Sequence, residues 1–258
     1  MNALADIMVA PNGARLQKSD HPNVPVTTEE IVACALACAA EGAGAIHIHV
    51  RDEEGRHVLD SGRYREVLAE LERQVPQMTA QITTEAVGRF TPQEQAAVAF
   101  DTDARYISAA PREITSDDIG FAKRFYAECA ERGITIQHIL YSRDDAESLT
   151  RILTKEALTS PDLQLLFVLG RYSEDRNSKP DDLRPFLDWL QESPFSPDWA
   201  CCAFGQGETD CLTEAVRAGG KCRIGFENST VDAEGRIAPD NTARVRALVA
   251  HLIRAGLR

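Results

Sequence analysis

Short apolar runs alternate with amphipathic stretches eight times along the chain, and this alternation restricts its fold more than any other feature. The apolar runs are rich in Val, Ile and Leu and are bounded by turn residues, which predicts strands. The predicted strands are Ile7–Ala10, Ala45–Val50, Met78–Thr84, Arg105–Ser108, Ile134–Tyr141, Leu163–Leu169, Asp198–Phe204 and Cys222–Phe226. Each precedes a predicted helix: Thr28–Glu41, Ser61–Gln74, Pro92–Phe100, Asp117–Arg132, Asp144–Leu158, Asp181–Gln191, Glu208–Ala218 and Asn241–Leu257.

Eight consecutive strand–helix units, each of roughly 30 residues, predict an α/β fold of the (βα)8 TIM-barrel type. The alternative is a doubly wound open sheet, which usually has fewer strands and a glycine-rich phosphate turn after the first one. Here the first strand runs into residues 11–15, Pro-Asn-Gly-Ala-Arg, which is no such turn. No linker, low-complexity segment or short repeat divides the sequence. We therefore expect residues 1–258 to form a single barrel domain.

The charge balance excludes several classes of function. The chain has 28 Lys plus Arg against 40 Asp plus Glu, a formal net charge of −12. Nucleic acid and anionic membranes need clustered positive charge, so neither is expected as the main partner. No apolar run approaches the roughly 20 residues of a membrane span, and the first residues carry no basic segment typical of a signal peptide. A membrane protein or a secreted protein is therefore not expected.

The cysteines predict a reducing environment. There are seven, an odd number, and no C-x-x-C pair occurs among them. Cys34 and Cys38 lie four apart in a predicted helix, while Cys201 and Cys202 are adjacent in a predicted strand. This placement is typical of buried reduced thiols rather than of a disulfide framework or a zinc knuckle, so we expect a cytoplasmic protein.

Two histidines on the second strand are candidate metal ligands. Side chains alternate between the two faces of a strand, so His47 and His49 point one way while Ile46, Ile48 and Val50 point the other. The apolar set suits the helix-facing side, which places both imidazoles inside the barrel. Active sites of such barrels lie at the carboxyl ends of the strands, and both histidines lie near the carboxyl end of the second strand. The pair therefore predicts a metal site that needs a third ligand.

Glu227 is the candidate third ligand, because it follows the apolar eighth strand, which lies near the second one in a closed barrel. A carboxylate there would be costly unless it were paired or bound to a cation. Two imidazoles and one carboxylate with an open position suit catalytic zinc and also ferrous iron. The alternative is that Glu227 forms an ion pair with Arg223 or Arg51.

At this point the sequence resembles the β-keto acid cleavage enzymes, whose best-known member cleaves 3-keto-5-aminohexanoate. The resemblance spans nearly the whole chain. It rests on Asn12-Gly13-Ala14, residues 20–27, His-x-His-Val-Arg-Asp at 47–52, Gln-Ile-Thr-Thr at 81–84, residues 167–170, Gly219-Gly220 and Arg-Ile-Gly-Phe-Glu-Asn at 223–228. It implies a (βα)8 barrel, usually a homotetramer, with one Zn²⁺ per chain on His47, His49 and Glu227.

The activity that the resemblance implies is an exchange in which a β-keto acid and acetyl-CoA give acetoacetate and a new CoA thioester. Zinc can act as a Lewis acid on the keto oxygen and carboxylate of the substrate. Arg223, near the metal, can neutralise the carboxylate or an oxyanion. Thr83 and Ser108, on the third and fourth strands, can orient the keto acid. A base is also required.

Four departures from the best-known member indicate a divergent subgroup. Asn228 stands where that enzyme has an aspartate thought to act as the catalytic base, and an amide cannot take the proton. Arg15 replaces a substrate-recognising glutamate. Residues 85–86, Glu-Ala, replace two glycines after the third strand. An acidic residue near the end of the fifth strand is lost, since residues 137–142 read Gln-His-Ile-Leu-Tyr-Ser.

These departures change the expected chemistry. Arg15 reverses the charge at the position that would bind an amino group of the substrate. This change disfavours a cationic substrate and favours an anionic or neutral β-keto acid. Alternatively, Arg15 is a surface residue. Glu85 becomes the candidate base, and its alternative is an ion pair with Arg112 or Arg51. Positive charge for the CoA phosphates could come from Arg15, Lys18 and Arg171, or these could be solvated loop residues.

Two other functions stay open from the sequence. One is a metal-assisted carbon–carbon lyase or hydrolase on the same barrel that acts without CoA. The other is a metal-binding barrel without catalysis, which Asn228 favours. An intact set of three ligands argues against the second, since open three-ligand sites usually serve chemistry.

Overall fold

The computed structural model describes residues 3–173 and 177–258, and eight parallel strands in it close into a barrel. The strands are β1 (Ile7–Val9), β2 (Ala45–Ile48), β3 (Thr79–Thr83), β4 (Tyr106–Ala109), β5 (Thr135–Leu140), β6 (Gln164–Leu169), β7 (Asp198–Ala203) and β8 (Lys221–Ile224). β1 pairs in parallel with both β2 and β8, which closes the sheet and excludes the doubly wound alternative. The predicted (βα)8 barrel is confirmed, and every predicted strand boundary is within two residues of the observed one.

Ten α-helices in the described residues surround the barrel. They are α1 (Thr28–Ala40), α2 (Ser61–Gln74), α3 (Pro92–Asp101), α4 (Pro111–Ile114), α5 (Ile119–Glu131), α6 (Arg143–Ile152), α7 (Lys155–Leu158), α8 (Arg184–Glu192), α9 (Glu208–Arg217) and α10 (Asn241–Arg254), with a 3₁₀ turn at Pro180–Leu183. In the part of the chain that the structure describes, none of these helices is long and apolar enough to cross a membrane.

The predicted helices differ from the observed ones in number and in where they begin, and α4 has no counterpart among the eight predicted helices. The predicted helix Asp117–Arg132 begins later, because the Asp118 carboxylate accepts the free backbone N–H groups of Gly120 and Phe121 and so caps α5. The predicted helix Asp144–Leu158 is two helices. Thr154 starts a new one by accepting the N–H of Ala157, after an extended residue at Leu153.

The alternation of side chains along the strands produces two apolar layers. Ile46, Ile48 and Val50 of β2 and its extension belong to the large core between sheet and helices. Leu166 and Cys202 belong to a separate cluster inside the barrel. His47 lies between Ile46 and Ile48 in sequence and so faces the interior. The predicted orientation of the β2 side chains is confirmed.

Two connectors of the barrel share one local structure. The segments 52–56 and 232–236 both read Asp-x-Glu-Gly-Arg, and each lies in a short hairpin closed by an antiparallel bridge. In each, the first carboxylate accepts two backbone N–H groups of its own turn and binds the arginine at the end. The prediction that the sequence has no short repeat missed this pair, since five residues matched only in part are a weak signal.

The cysteines agree with the sequence-based prediction. All seven carry free thiols, and six of them are buried. Cys201 and Cys202 lie in β7, where their side chains fall on opposite faces of the sheet and join the two apolar layers. They pack as small apolar side chains rather than as members of a disulfide framework.

Candidate active site

A cavity of about 260 Å³ lies at the carboxyl ends of the barrel strands. Its lining comes from the ends of β1, β2, β3, β5, β6, β7 and β8 and from the loops that follow them. The cavity is where the active site of this fold is expected. Eight of the nine residues proposed from the sequence for catalysis, substrate binding or metal binding line its wall: His47, His49, Thr83, Glu85, Arg15, Arg223, Glu227 and Asn228.

The two histidines and Glu227 converge at the inner end of this cavity. Nε2 of His47 lies 3.1 Å from Nε2 of His49. Oε2 of Glu227 lies 3.6 Å from the first nitrogen and 3.5 Å from the second. One ligand atom from each residue therefore falls within 4.8 Å of the others. Three side chains from β2 and the end of β8 meet as the sequence-based prediction requires.

The protonation states of this cluster suit a cation. Burial lowers the pKa of the His47 imidazole to about 4 and that of His49 well below its usual value. Burial alone would raise the pKa of Glu227, but Arg223 and the two imidazoles together hold it well below its usual range. Two neutral imidazoles and one carboxylate are a common donor set for a divalent metal.

An unpartnered polar atom supports the same interpretation. Oε2 of Glu227 is buried and has no hydrogen-bond partner among the described residues. Buried polar atoms of proteins are nearly always satisfied, so a carboxylate oxygen without a hydrogen-bond partner, beside two imidazole nitrogens, suits the binding of a cation. The residues present could hold a metal ion.

Gln81 on β3 orients the first histidine. Its Oε1 lies 2.7 Å from Nδ1 of His47, and its own Nε2 donates to Gln137 on β5 at 3.1 Å. With Nδ1 donating to this oxygen, Nε2 of His47 keeps its lone pair for the cavity. The motif at residues 81–84 includes Gln81 but does not indicate this role. Alternation along β3, which puts it on the same face as Thr83, could have identified it.

Arg223 binds the candidate metal ligand Glu227 from the side away from the histidines. Its Nη2 donates to Oε1 of Glu227 at 3.0 Å, and the side chain is almost fully buried inside the barrel. The predicted metal cluster and the alternative ion pair of Glu227 with Arg223 thus coexist, one on each carboxylate oxygen. The alternative pairing with Arg51 does not occur.

Arg51 instead organises the loop after β1. Its guanidinium donates to the carbonyl oxygens of residues 12, 13, 14 and 16, and to that of Gly55. The same loop is held by Asn12, whose amide donates to the backbone oxygen of His49 at 2.8 Å. Arg51 was considered only as an ion-pair partner from sequence, so its role in fixing this loop was missed.

Gly225 sets the direction in which the chain leaves β8. Its φ is +145°, and a Cβ at this position would collide with the backbone oxygen of Ala10. Only glycine adopts such a conformation readily. The turn that follows brings Glu227 to the cavity, and the backbone N–H of Glu227 donates to the same oxygen of Ala10 at 3.1 Å.

Glu85, the candidate base, lies at the outer part of the cavity between two arginines. Its Oε1 accepts from Nη1 of Arg15 at 3.2 Å and from Nη2 of Arg171 at 3.3 Å. The predicted alternative, an ion pair with Arg112 or Arg51, is wrong, because Arg112 forms a two-pronged bond with Asp145. Burial raises the pKa of Glu85 to about 7, with Glu227 adding to the effect and Arg15 opposing it.

The other predicted residues fall into different positions. Thr83 lines the cavity, and its hydroxyl accepts the N–H of Glu85 at 3.0 Å. Asn228 also lines the cavity, and neither its amide nitrogen nor its amide oxygen has a partner among the described residues. Ser108 is fully buried on β4 and is not part of the cavity wall. Lys18 binds Glu30 on the surface and lies outside the cavity lining.

The charges of the cavity wall differ from those of the whole chain. Three arginines and two glutamates line it, which gives a local net charge of +1 with the histidines neutral. The chain as a whole carries −12. The wall thus favours an anionic ligand although the protein is acidic.

Comparison with known proteins gives a family match over nearly the whole chain. A family model described as beta-keto acid cleavage enzyme matches residues 5–258. A protein of Fusobacterium nucleatum named 3-keto-5-aminohexanoate cleavage enzyme is 26% identical over 244 residues, covering 92% of this chain and 87% of that protein. A protein of Cupriavidus necator named 3-oxoadipate:acetyl-CoA acetyltransferase is 22% identical over 257 residues, covering 95% and 87% respectively.

Solved structures show the same fold. The ternary complex of ObcA with a C4-CoA adduct and oxalate superposes with a TM-score of 0.71 at 16% sequence identity. The match covers 91% of this chain and 65% of that one, so the present chain spans a little under two thirds of the length of ObcA. At this identity the likeness bears on the barrel fold alone.

Proposed function

Because this chain belongs to the beta-keto acid cleavage enzyme family, we propose that it is an acyltransferase that cleaves a β-keto acid with acetyl-CoA. The products are acetoacetate and the CoA thioester of the remaining acyl group. The names of the relatives, which include a 3-oxoadipate:acetyl-CoA acetyltransferase and a 3-dehydrocarnitine:acetyl-CoA trimethylamine transferase, support acetyl-CoA as the co-substrate. The observation that carries the proposal is the convergence of His47, His49 and Glu227 in the cavity of a chain matched to the family over residues 5–258.

His47, His49 and Glu227 would hold one Zn²⁺ per chain. Their convergent ligand atoms, the neutral state of the imidazoles and the free Oε2 of Glu227 support this assignment. When bound, the cation supplies Lewis acidity toward the keto oxygen and carboxylate of the substrate. Ferrous iron suits the same donors, and metal analysis of the purified protein distinguishes the two.

Arg223, Asn228 and Thr83 would bind and orient the substrate around that centre. Arg223 is buried and donates to Glu227, so its charge lies where a substrate carboxylate or a developing oxyanion needs stabilising. Asn228 cannot accept a proton as a base, but its unpartnered buried amide can donate to a substrate oxygen. Thr83 adds a hydroxyl at the same wall. Ser108 is fully buried on β4 outside the cavity lining, so we assign it no contact with the substrate.

Glu85 would act as the base in place of the aspartate that Asn228 replaces. It lines the cavity, and a pKa of about 7 lets it take a proton at neutral pH and return it within the same cycle. Its two arginine partners fix the position of the carboxylate. Arg15 and Arg171 also supply the positive charge that an anionic substrate or the phosphates of CoA require.

We extend the family resemblance to the assembly and location of the protein. A homotetramer is proposed on that resemblance alone. A cytoplasmic location is supported by the seven free thiols, which persist in a reducing compartment.

The decisive experiment incubates the metal-loaded protein with a panel of β-keto acids, with and without acetyl-CoA, and identifies CoA products by mass. Acetoacetate and a new acyl-CoA that form only with acetyl-CoA are the expected result. Consumption of a keto acid without acetyl-CoA would instead support a metal-assisted lyase or hydrolase. Absence of any turnover with a fully loaded metal site would support a non-catalytic metal-binding barrel. Asn228, in place of the aspartate of the best-known member, makes that the remaining candidate.

A further inference from the structure

Two arginines at the mouth of the cavity share a single carboxylate oxygen. Nη1 of Arg15 and Nη2 of Arg171 lie 3.2 and 3.3 Å from the same Oε1 of Glu85. The three residues come from the loops after β1, β6 and β3, so no local sequence relation brings them together. One negative charge faces two positive ones, and the group as a whole keeps an unbalanced positive charge.

Arg171 is the fixed member of this group. Its side chain is 11% exposed, and its guanidinium lies 5.2 Å from the ring centre of Phe204, a cation–π distance. Arg15 is half exposed and lies on the loop that Arg51 holds by its backbone. A guanidinium held rigidly and a second one able to adjust form a suitable clamp for a planar anion.

The neighbouring cations are already engaged with acids of their own. Arg112 forms a two-pronged bond with Asp145, and Arg223 binds Glu227 at the inner end of the cavity. The excess positive charge of the cavity wall therefore belongs to Arg15 and Arg171. The inner end, with the histidines and Arg223, is where the reacting keto acid would lie under the proposed function.

From this arrangement we propose that Arg171 and Arg15 bind a second carboxylate of the substrate, at the end remote from the reacting keto acid. The inference rests on the proposed function for the identity of the reacting end. Among the described residues, each guanidinium donates to Glu85 through a single nitrogen, so its other N–H groups can bind a second carboxylate while Glu85 stays in place. A β-keto dicarboxylate balances the charge at the mouth, a neutral chain end leaves it unbalanced, and a cationic end adds to it.

The test compares three substrates of the same chain length that differ in charge at the remote end. These are 3-oxoadipate, 3-oxohexanoate and 3-keto-5-aminohexanoate, whose ends are anionic, apolar and cationic. With acetyl-CoA, we expect kcat/KM for 3-oxoadipate to exceed that for 3-oxohexanoate by on the order of 100-fold, the effect of a well-placed charged hydrogen bond. The cationic substrate should be the poorest. A preference for the cationic substrate would mean that Glu85 binds the amino group at the remote end, and would overturn the proposal.

Arg171→Gln should lower kcat/KM for 3-oxoadipate far more than for 3-oxohexanoate, so that the ratio between them falls to about one tenth of its wild-type value or less. The loss should appear mainly in KM, because the remote end takes no part in the reaction. Arg73→Gln is the matched control, since Arg73 is exposed on α2, far from the cavity lining, and pairs with Glu70 of the same helix. Equal losses for both substrates would show that Arg171 has a structural role and would contradict the proposal.

Binding without turnover separates this inference from the proposed function. Calorimetry with adipate and hexanoate on the zinc-loaded protein needs no acetyl-CoA. Tighter binding of adipate that Arg171→Gln abolishes supports the clamp even if no keto acid is cleaved. Equal binding of the two acids would overturn the clamp even if the enzyme proves to be a transferase.

Discussion

His47 is the residue whose removal best tests the metal assignment. His47→Ala deletes one of three ligand atoms, and we expect bound zinc and acetyl-CoA-dependent activity to be lost together, with activity falling by at least about 1,000-fold, since the cation stabilises the transition state. Metal analysis and initial rates on the same preparation provide the measurement.

His138→Ala is the control for that substitution. His138 is also a buried histidine on a barrel strand, but it packs against Tyr126 of α5, on the helix side. This variant should lose stability and keep its zinc. If His47→Ala lost activity while retaining a full complement of metal, the ligand assignment would have to be abandoned.

Glu85 should give the reaction its pH dependence. A base works in its ionised form, and burial raises the pKa of Glu85 to about 7. The kcat/KM of the wild type should therefore increase as pH rises through about 7 and level off above it. Glu85→Gln should reduce kcat by about 100- to 10,000-fold and remove this inflection. An unchanged inflection in the Gln variant would assign the titration to another group.

At this scale, the sequence predicts residues whose position follows from strand alternation. His47 and His49 face the barrel interior because their neighbours in β2 pack outward, and this needs no knowledge of the loops. The partners of Glu85 could not be predicted in the same way. Arg171 is 86 positions away, and the contact depends on the conformations of two loops. The sequence indicates Arg112 and Arg51 because they follow β4 and β2, the two strands next to β3, but both have other partners.

Among the structural elements, the end of β8 is the most sensitive to the backbone. Gly225→Ala would place a Cβ against the backbone oxygen of Ala10, with φ at +145°. We expect a loss of more than about 3 kcal/mol in the free energy of unfolding, together with weaker zinc binding, because the turn that presents Glu227 must shift. Urea unfolding and zinc titration measure the two effects.

Gly133→Ala is the matched control for the β8 variant. Gly133 ends α5 with φ at +68°, and a Cβ there would meet no atom within 4 Å. Only the cost of a left-handed residue, about 1 kcal/mol, is expected, with zinc binding unchanged. Similar zinc affinities for the Gly225 and Gly133 variants would mean that the β8 turn does not position Glu227.

Elements were predicted well where the signal is local and less well where it is not. The eight strands are continuous apolar runs between turn residues, so their positions could be read directly. The break between α6 and α7 was missed because the amphipathic pattern continues across it, while the new cap at Thr154 depends on a single hydroxyl. The bounds of α1 and α5 were predicted to within two residues, and both helices begin at a side chain that caps free backbone N–H groups.

At the scale of the whole molecule, the metal ligands span the seam of the barrel. They come from β2 and from the end of β8, and both strands pair with β1. Zinc should therefore stabilise the fold as a whole. At a free zinc concentration 100 times the dissociation constant, the stabilisation is about 2.7 kcal/mol, which corresponds to about 5–10 °C in Tm for a chain of this size.

Thermal unfolding of the wild type before and after chelation measures this effect, and added zinc should restore the Tm. His47→Ala should show the same Tm in both conditions. A wild-type Tm that stays constant after metal removal has been verified would contradict the proposed link across the seam.

The charge of the whole chain and the charge of its site illustrate what composition can predict. The net charge of −12 makes the protein acidic as a whole, but it does not reveal that three arginines line the cavity. Arginines from loops after β1 and β6 and from β8 meet only after the barrel closes. Composition therefore limits the partners of the outer surface, while the choice of substrate depends on topology.

The barrel assigns its chemistry and its selectivity to different parts of the chain. The candidate metal ligands lie on or just after β2 and just after β8, and the hairpins that contain residues 52–56 and 232–236 follow those strands, whereas the proposed clamp residues Arg15 and Arg171 lie on the loops after β1 and β6. Substitutions at positions 15 and 171 therefore leave the metal ligands and the candidate base Glu85 in place. Such a protein can diverge in preference while conserving its reaction, and randomising positions 15 and 171 together is the shortest route to altered selectivity in directed evolution.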